Sequence, residues 1–175
     1  MENKKQYDVI IIGASTTGSW FGNEMAKRGF KVLMIEKQER ENVSRNYDIF
    51  HMAKSEMEKF GYPIPEKDDE DYSFEFDGGS YFSAYGNYPK PTHNIVIGMR
   101  KHRYILRLND NAVKAGAELI YGASFSGFVF DAQGRIAGVK YKTADGEQEA
   151  LGAIVADCSG IPSVARRALP DGLNA

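Results

Sequence analysis

The chain has 175 residues and a net charge of -2, from 22 Lys and Arg against 24 Asp and Glu. That length suits one domain with a sizeable core, and the near-balanced charge gives no electrostatic case for DNA or RNA. The single cysteine, Cys158, excludes an internal disulfide and agrees with a reducing compartment. The apolar run 9–12 is too short for a signal-peptide core or a membrane span, so the expectation is a cytoplasmic protein, with peripheral membrane contact left open.

Residues 7–12 are a continuous β-branched run, the pattern of a strand buried on both faces of a parallel sheet. Residues 17–28 follow as a helix, with Trp20, Phe21 and Met25 at helical spacing, Gly18 and Gly22 on a neighbouring face and Gly29 as its stop. With a second strand at 31–36 this makes a βαβ unit. A helix is expected over 47–60, broken at 61–65 by a glycine and two prolines. After the acidic loop 67–71, residues 72–99 read as short strands rich in Tyr, Phe and Ser, interrupted at 78–79 and 89–91. Helical spacing returns at 102–115, with Ile105, Leu108, Ala112 and Val113 on one side, before a strand at 117–121. Strands at 125–131, 135–141 and, more weakly, 147–151 make a three-stranded meander, followed by a separate buried run at 153–156.

Gly13-Ala14-Ser15-Thr16-Thr17-Gly18 has the G-x-G-x-x-G spacing with serine at the middle glycine. Such a turn lets backbone approach a pyrophosphate, and the helix behind it offers free N–H groups and a favourable dipole. Ser15 could itself bond a phosphate oxygen or push the pyrophosphate outward. Glu36 follows Gly18 by eighteen residues, at the end of the second strand, where a carboxylate takes ribose hydroxyls and disfavours the 2′-phosphate of NADP. Lys37 beside it joins the same candidate set. A glycine turn with an incidental acid is the bland alternative.

The choice between FAD and NAD comes from residues 154–163, Ile-Val-Ala-Asp-Cys-Ser-Gly-Ile-Pro-Ser, followed by Arg166 and Arg167. This stretch resembles the second flavin fingerprint of the glutathione-reductase-type FAD fold, in the group of geranylgeranyl reductases and aromatic-ring hydroxylases. The resemblance implies that Asp157 binds the ribityl chain, that Gly160 opens a helix facing the pyrophosphate, and that main chain at Phe125 meets the adenine. Asp157 as a helix cap is the alternative, compatible with that role. Residues 98–119 resemble the family stretch ending in Ala-Gly-Ala-Glu-Leu, which places a cation near the flavin phosphates at Arg100, with Lys101 in reserve. Arg103 and Arg107 read better as a solvated helix face.

The fold implied is α/β, a Rossmann-like FAD-binding fold with a parallel sheet and a three-stranded meander, plus part of an inserted antiparallel substrate sheet. The expected parts are 1–61 and 100–175 for the FAD domain and 62–99 for the insertion. Family members are about twice this long, so the resemblance implies a C-terminally truncated form and admits a partner chain supplying the rest. It implies an FAD-dependent oxidoreductase with NAD(P)H as electron donor, acting on a small apolar substrate and favouring reduction of an isoprenoid-like double bond. Aromatic hydroxylation and a non-catalytic nucleotide-binding fragment are the alternatives. His51, His93 and His102 lack metal-ligand spacing, and Cys158 lacks a C-x-x-C partner. Catalytic residues are not assigned.

Overall fold

In the computed structural model, which describes residues 5–45, 49–81, 83–86, 90–161 and 163–170, the first apolar run is β1 (Gln6–Ile12). Ile10 and Ile11 are both 0% exposed, as a strand packed on both faces requires. β1 runs parallel to β2 (Val32–Ile35) on one side and to β9 (Gly146–Asp157) on the other. β6 (Glu118–Ile120) extends the parallel part beyond β2. On the far side β9 pairs antiparallel with β8 (Ile136–Thr143), which pairs antiparallel with β7 (Ser124–Phe130). One six-stranded sheet results, in the order β6, β2, β1, β9, β8, β7. The parallel sheet and meander expected from the sequence are therefore present.

The chain divides into two compact units, Met1–Val43 with Ile105–Ala175, and Ser44–Tyr104. The first holds the six-stranded sheet and α1 (Thr16–Lys27). The second holds a three-stranded antiparallel sheet in the order β3 (Ile49–Ala53), β5 (Lys90–Arg100), β4 (Tyr72–Tyr81), with α2 (Lys54–Phe60). α3 (Lys101–Lys114) begins in the second unit and belongs to the first from Ile105 onward. A four-residue helix, α4 (Val164–Arg167), follows β9. Met1–Lys4, the expected helix start at Tyr47, Tyr88 and Pro89 of the strand-rich region, and Pro162 of the fingerprint lie outside the described residues.

Several expectations need correction. Residues 49–53 are strand, not helix: they pair antiparallel with β5, from Ile49 opposite Arg100 to Ala53 opposite Val96. Helix begins only at Lys54 and stops at the left-handed Gly61. Among the described residues of the expected stretch, Tyr72–Tyr81 and Lys90–Arg100 form two long strands rather than several short ones. Gly78 is absorbed at a register shift between Asp77 and Gly79, and Pro91 lies where β5 has only β4 as neighbour, because β3 pairs only with Val96–Arg100 of β5. The inward face of α1 is Gly18, Ser19, Gly22, Asn23 and Ala26, with Trp20, Phe21 and Met25 on its flanks. Gly22 explains this close approach, since a Cβ there would lie 2.5 Å from the Met34 sulfur.

The weak meander strand and the run at 153–156 are one strand. β9 pairs with β8 through Leu151 and with β1 from Leu151 to Asp157. Nor is the run buried: Ala153 is exposed and Ile154 is 57% exposed. Beyond Leu151 the strand is paired along one edge only, to β1, and its side chains are buried only where another element covers the face. On α3, Ile105, Leu108 and Ala112 are buried as expected, but Val113 is 49% exposed and the polar Asn109 is 0% exposed in its place.

Candidate functional site

The carboxyl end of β1 and its two parallel neighbours is where an open α/β sheet presents main chain to a ligand. At that end Gly13 donates its N–H to Ile35 O at 2.8 Å, and Cys158 donates to Ile12 O at 2.8 Å, so the turn is sewn to both adjacent strands. Gly13 has φ +98, and a Cβ on it would lie 2.6 Å from Cys158 O. A Cβ on Gly18 would collide with the Gly13 carbonyl oxygen. Both ends of the motif therefore require glycine, one for conformation and space and the other for space alone.

Ser15 is the N-cap of α1 in extended conformation, with no side-chain capping bond. The N–H groups of Thr16, Thr17 and Gly18 open the helix and have no acceptor within it. Together with the dipole of a twelve-residue helix, they form an anion cradle at the turn.

Glu36 is 6% exposed and anchors this turn. Its Oε2 accepts the Ala14 N–H at 2.9 Å and its Oε1 the Gln38 N–H at 2.9 Å. The acid has a structural part here, because it ties the 13–18 turn to the loop after β2. Each oxygen retains a lone pair beyond these bonds. Lys37 is exposed beside it.

Asp157 ends β9 opposite Ile12. Its Oδ1 accepts from Ser159 N (3.0 Å) and Ser159 Oγ (2.6 Å), and its Oδ2 from Ser163 Oγ (3.0 Å), Ala165 N (3.2 Å) and Arg166 N (3.3 Å). The helix-capping role is thus realised. Gly160 does not open a helix, contrary to what the resemblance implies: it has φ +81, and α4 starts at Val164, where Asp157 and Ser159 reach forward to the first N–H groups. Burial pushes the Asp157 pKa up, but the bonds from Ser159, the Arg166 N–H and Ser163 outweigh it and hold the pKa below its ordinary 3.8. A depressed carboxylate contributes stability that is present above the unfolded-state pKa and lost as pH falls through the folded value. Melting temperature should therefore decline below about pH 4 in the wild type, and Asp157→Asn should lower stability at neutral pH while flattening the acid slope. Parallel slopes in thermal melts from pH 7 to pH 3 would remove Asp157 from this account.

Cys158 is partly buried, and burial, with the Asp157 charge second, raises its thiol pKa. A protonated, packed thiol is a spacer between turn and strand rather than a nucleophile. Phe125, in β7, packs edge-on to Phe128 at 5.1 Å against the cluster that contains Ile12 and Ile35. Arg100 lies in the second unit, where its N–H donates to Asp71 O at 2.8 Å and its guanidinium to Glu70 O at 3.4 Å. The structure thus gathers residues 13–18, Glu36, Lys37, Phe125, Asp157 and Gly160 in one unit and Arg100 in the other. Among the described residues, no group of three or more His, Cys, Asp and Glu side chains is arranged to hold a metal ion. No helix among them is long and apolar enough to cross a membrane.

Sequence reasoning passed over Ser19, Asn109, Tyr121 and the pair Arg40–Asp110. Ser19 and Asn109 are buried polar residues inside helices, and the only signal was a polar residue on the apolar stripe of each.

No family model matches the chain. It is 30% identical to a 1H-pyrrole-2-carbonyl-(peptidyl-carrier protein) brominase of Pseudoalteromonas luteoviolacea, over 91% of this chain and 39% of that protein. It is 28% identical to a digeranylgeranylglycerophospholipid reductase of Methanocella arvoryzae, over 91% of this chain and 41% of that protein. Among solved structures it matches a geranylgeranyl bacteriochlorophyll reductase-like protein from Thermoplasma acidophilum, with TM-score 0.79 and 21% identity over 97% of this chain and 43% of the other. It also matches the myxobacterial chondrochloren halogenase, described as a variant of FAD-dependent halogenases, with TM-score 0.71 and 17% identity over 95% and 40%. The chain has the fold of these reductase-like and halogenase structures. It spans about two fifths of the length of the curated relatives it matches. The resemblance drawn from the sequence is borne out at the level of fold.

Proposed function

We propose that the chain binds FAD, with its diphosphate on the 13–18 turn and the opening N–H groups of α1, and that it forms the flavin-binding part of an oxidoreductase. The observation that carries this reading is the turn itself: glycines at both ends where any Cβ would strike main chain, closed by the buried Glu36 carboxylate. In the same reading the remaining lone pairs of Glu36 accept ribose hydroxyls, Lys37 stands beside that ribose, and Asp157 and Gly160 face the ribityl side. Phe125 main chain meets the adenine. Bound FAD would supply hydride transfer or oxygen activation. The protein's part is to hold the diphosphate with fixed dipoles and to keep the turn from moving.

For the reaction, reduction of a double bond in an apolar, isoprenoid-like substrate with NAD(P)H as donor is favoured by the Asp-Cys-Ser-Gly stretch and by the reductase relative. The brominase relative favours a second reading, flavin-dependent halogenation of a small carrier-bound ring. Anaerobic mixing of the FAD-loaded protein with NADH or NADPH separates them. Bleaching of the flavin band supports direct donation, whereas no bleaching means that reduced flavin must be delivered from elsewhere.

The first test is the absorption spectrum of the purified protein, with release and chromatography of any bound cofactor. Near-stoichiometric FAD, or quenching of added FAD by a colourless protein, is expected. A colourless protein indifferent to FAD would end the flavin reading.

A further inference from the structure

A buried hydrogen-bonded line runs from the phosphate turn into α3. Ser19, in α1, is 0% exposed, and its Oγ lies 2.9 Å from Ala14 O, 2.7 Å from Ser15 O and 2.5 Å from Asn109 Oδ1. A hydroxyl carries one proton and serves one acceptor at a time, and the shortest of these contacts is to the amide. Asn109, also 0% exposed, donates from Nδ2 to Tyr121 Oη at 3.0 Å. Burying an amide at this position costs free energy unless its bonds are made, so an apolar residue would suit the α3 stripe better on packing grounds alone.

The next residue along α3 reaches the other edge of the same surface. Asp110 takes two bonds from Arg40, Nη1 to Oδ1 at 2.8 Å and Nη2 to Oδ2 at 3.0 Å, and Arg40 Nη1 lies 3.5 Å from Tyr121 Oη. Burial raises the Tyr121 pKa, so the phenol joining the two halves is neutral. Arg40 belongs to the loop that starts at Glu36, and this loop is zipped to the segment carrying Tyr121. Glu36 N donates to Ile120 O at 2.9 Å, Gly122 N to Gln38 O at 3.2 Å and Ala123 N to Glu36 O at 2.8 Å. The Arg40–Asp110 pair is about half exposed, so its energetic contribution is small; what a forked pair adds is a fixed direction.

We propose that the Asn109–Asp110 step of α3 is a positioning element for the dinucleotide surface: Asn109 sets the 13–18 turn through Ser19, and Asp110 sets the loop after Glu36 through Arg40. The proposal rests on the reading that the turn holds an FAD diphosphate. A dinucleotide spans both segments, so its affinity depends on their separation, and two consecutive residues of one helix fix that separation from behind.

The test uses Asn109→Leu, which keeps volume and removes both amide bonds. FAD affinity by fluorescence quenching should weaken about tenfold. Ser19→Ala should weaken it less, and the double variant should be no weaker than Asn109→Leu alone, because Asn109 acts through Ser19. Amide resonances of Ala14 and Ser15 in the ligand-free protein should shift in Asn109→Leu, a signature that a general loss of stability does not produce. Arg40→Ala, at a half-exposed pair whose loss should cost little stability, should weaken FAD about threefold and move Gln38 and Gly122 instead. Should Asn109→Leu not fold, Ser19→Ala carries the Ala14 and Ser15 readout, and Arg40→Ala carries that of Gln38 and Gly122. Wild-type affinity in Asn109→Leu, full multiplication of the two single effects, or unmoved Ala14 and Ser15 resonances would overturn the proposal. A wild-type protein indifferent to FAD would defeat the flavin reading instead, and the amide shifts would then decide the positioning claim alone.

Discussion

Gly18→Val is expected to abolish FAD retention, with affinity falling about a hundredfold or more. The first carbon of any side chain at Gly18 would strike the Gly13 carbonyl oxygen, which belongs to the turn itself and is tethered by the Gly13 N–H bond to Ile35 O. Valine must therefore push α1 off the turn, and the N–H groups of Thr16, Thr17 and Gly18 would no longer converge on one anion. Gly13→Val should do the same by a different route: φ +98 is costly for a β-branched residue, and its Cβ would press on Cys158 O. Equilibrium dialysis against FAD, with Arg107→Ala as the comparison expected to bind like wild type, measures the effect. Equal retention in all three variants would remove the turn from the flavin site.

Glu36→Ala is the second large effect. It strips the acceptor from two main-chain donors, and one of them, on the fully buried Ala14, has no route to water. Leaving a buried donor without its charged acceptor should destabilise the fold by about 3 kcal/mol, visible as a lower midpoint in urea with an unchanged slope. Glu36→Gln should fall between, because its amide offers one acceptor oxygen to two N–H groups and turns its own N–H donors toward the other. FAD binding should weaken in both variants, more in Ala than in Gln. If Glu36→Ala unfolds at the wild-type urea concentration, the carboxylate is not the clamp described.

Much of the geometry of the 13–18 turn was legible because glycine spacing, a bounding strand and a terminal acid are local signals with a local cause. Gly13, Gly18 and Glu36 could be named from the sequence for that reason. What failed depends on partners distant in sequence. Residues 49–53 satisfy a helical spacing through Phe50, Ala53 and Met57, and only β5, more than forty residues on, makes them a strand. β9 looked like two strands because Gly152 interrupts it. Yet that glycine is where Ile10 packs against the strand, and a Cβ there would lie 2.8 Å from the isoleucine side chain. Asn109 was invisible because a polar residue on an apolar stripe reads as a gap until its partner, Ser19, is known. Halogenation has no signal in this sequence, since the shared turn and strand carry no trace of a substrate.

The single strand β9 has a consequence for how the chain is made. β1 gains its second neighbour only when residues 151–157 have been synthesised, so until then one edge of its Ile10–Ile11 core lies open. Pairing across so great a sequence separation is slow, and an apolar edge left waiting is a template for the wrong neighbour. The nascent protein is therefore most exposed to aggregation between the emergence of β2 and the closing of β9. A chaperone that holds extended apolar segments would act in that interval, before the 13–18 turn has Cys158 bonded to Ile12 O beside it.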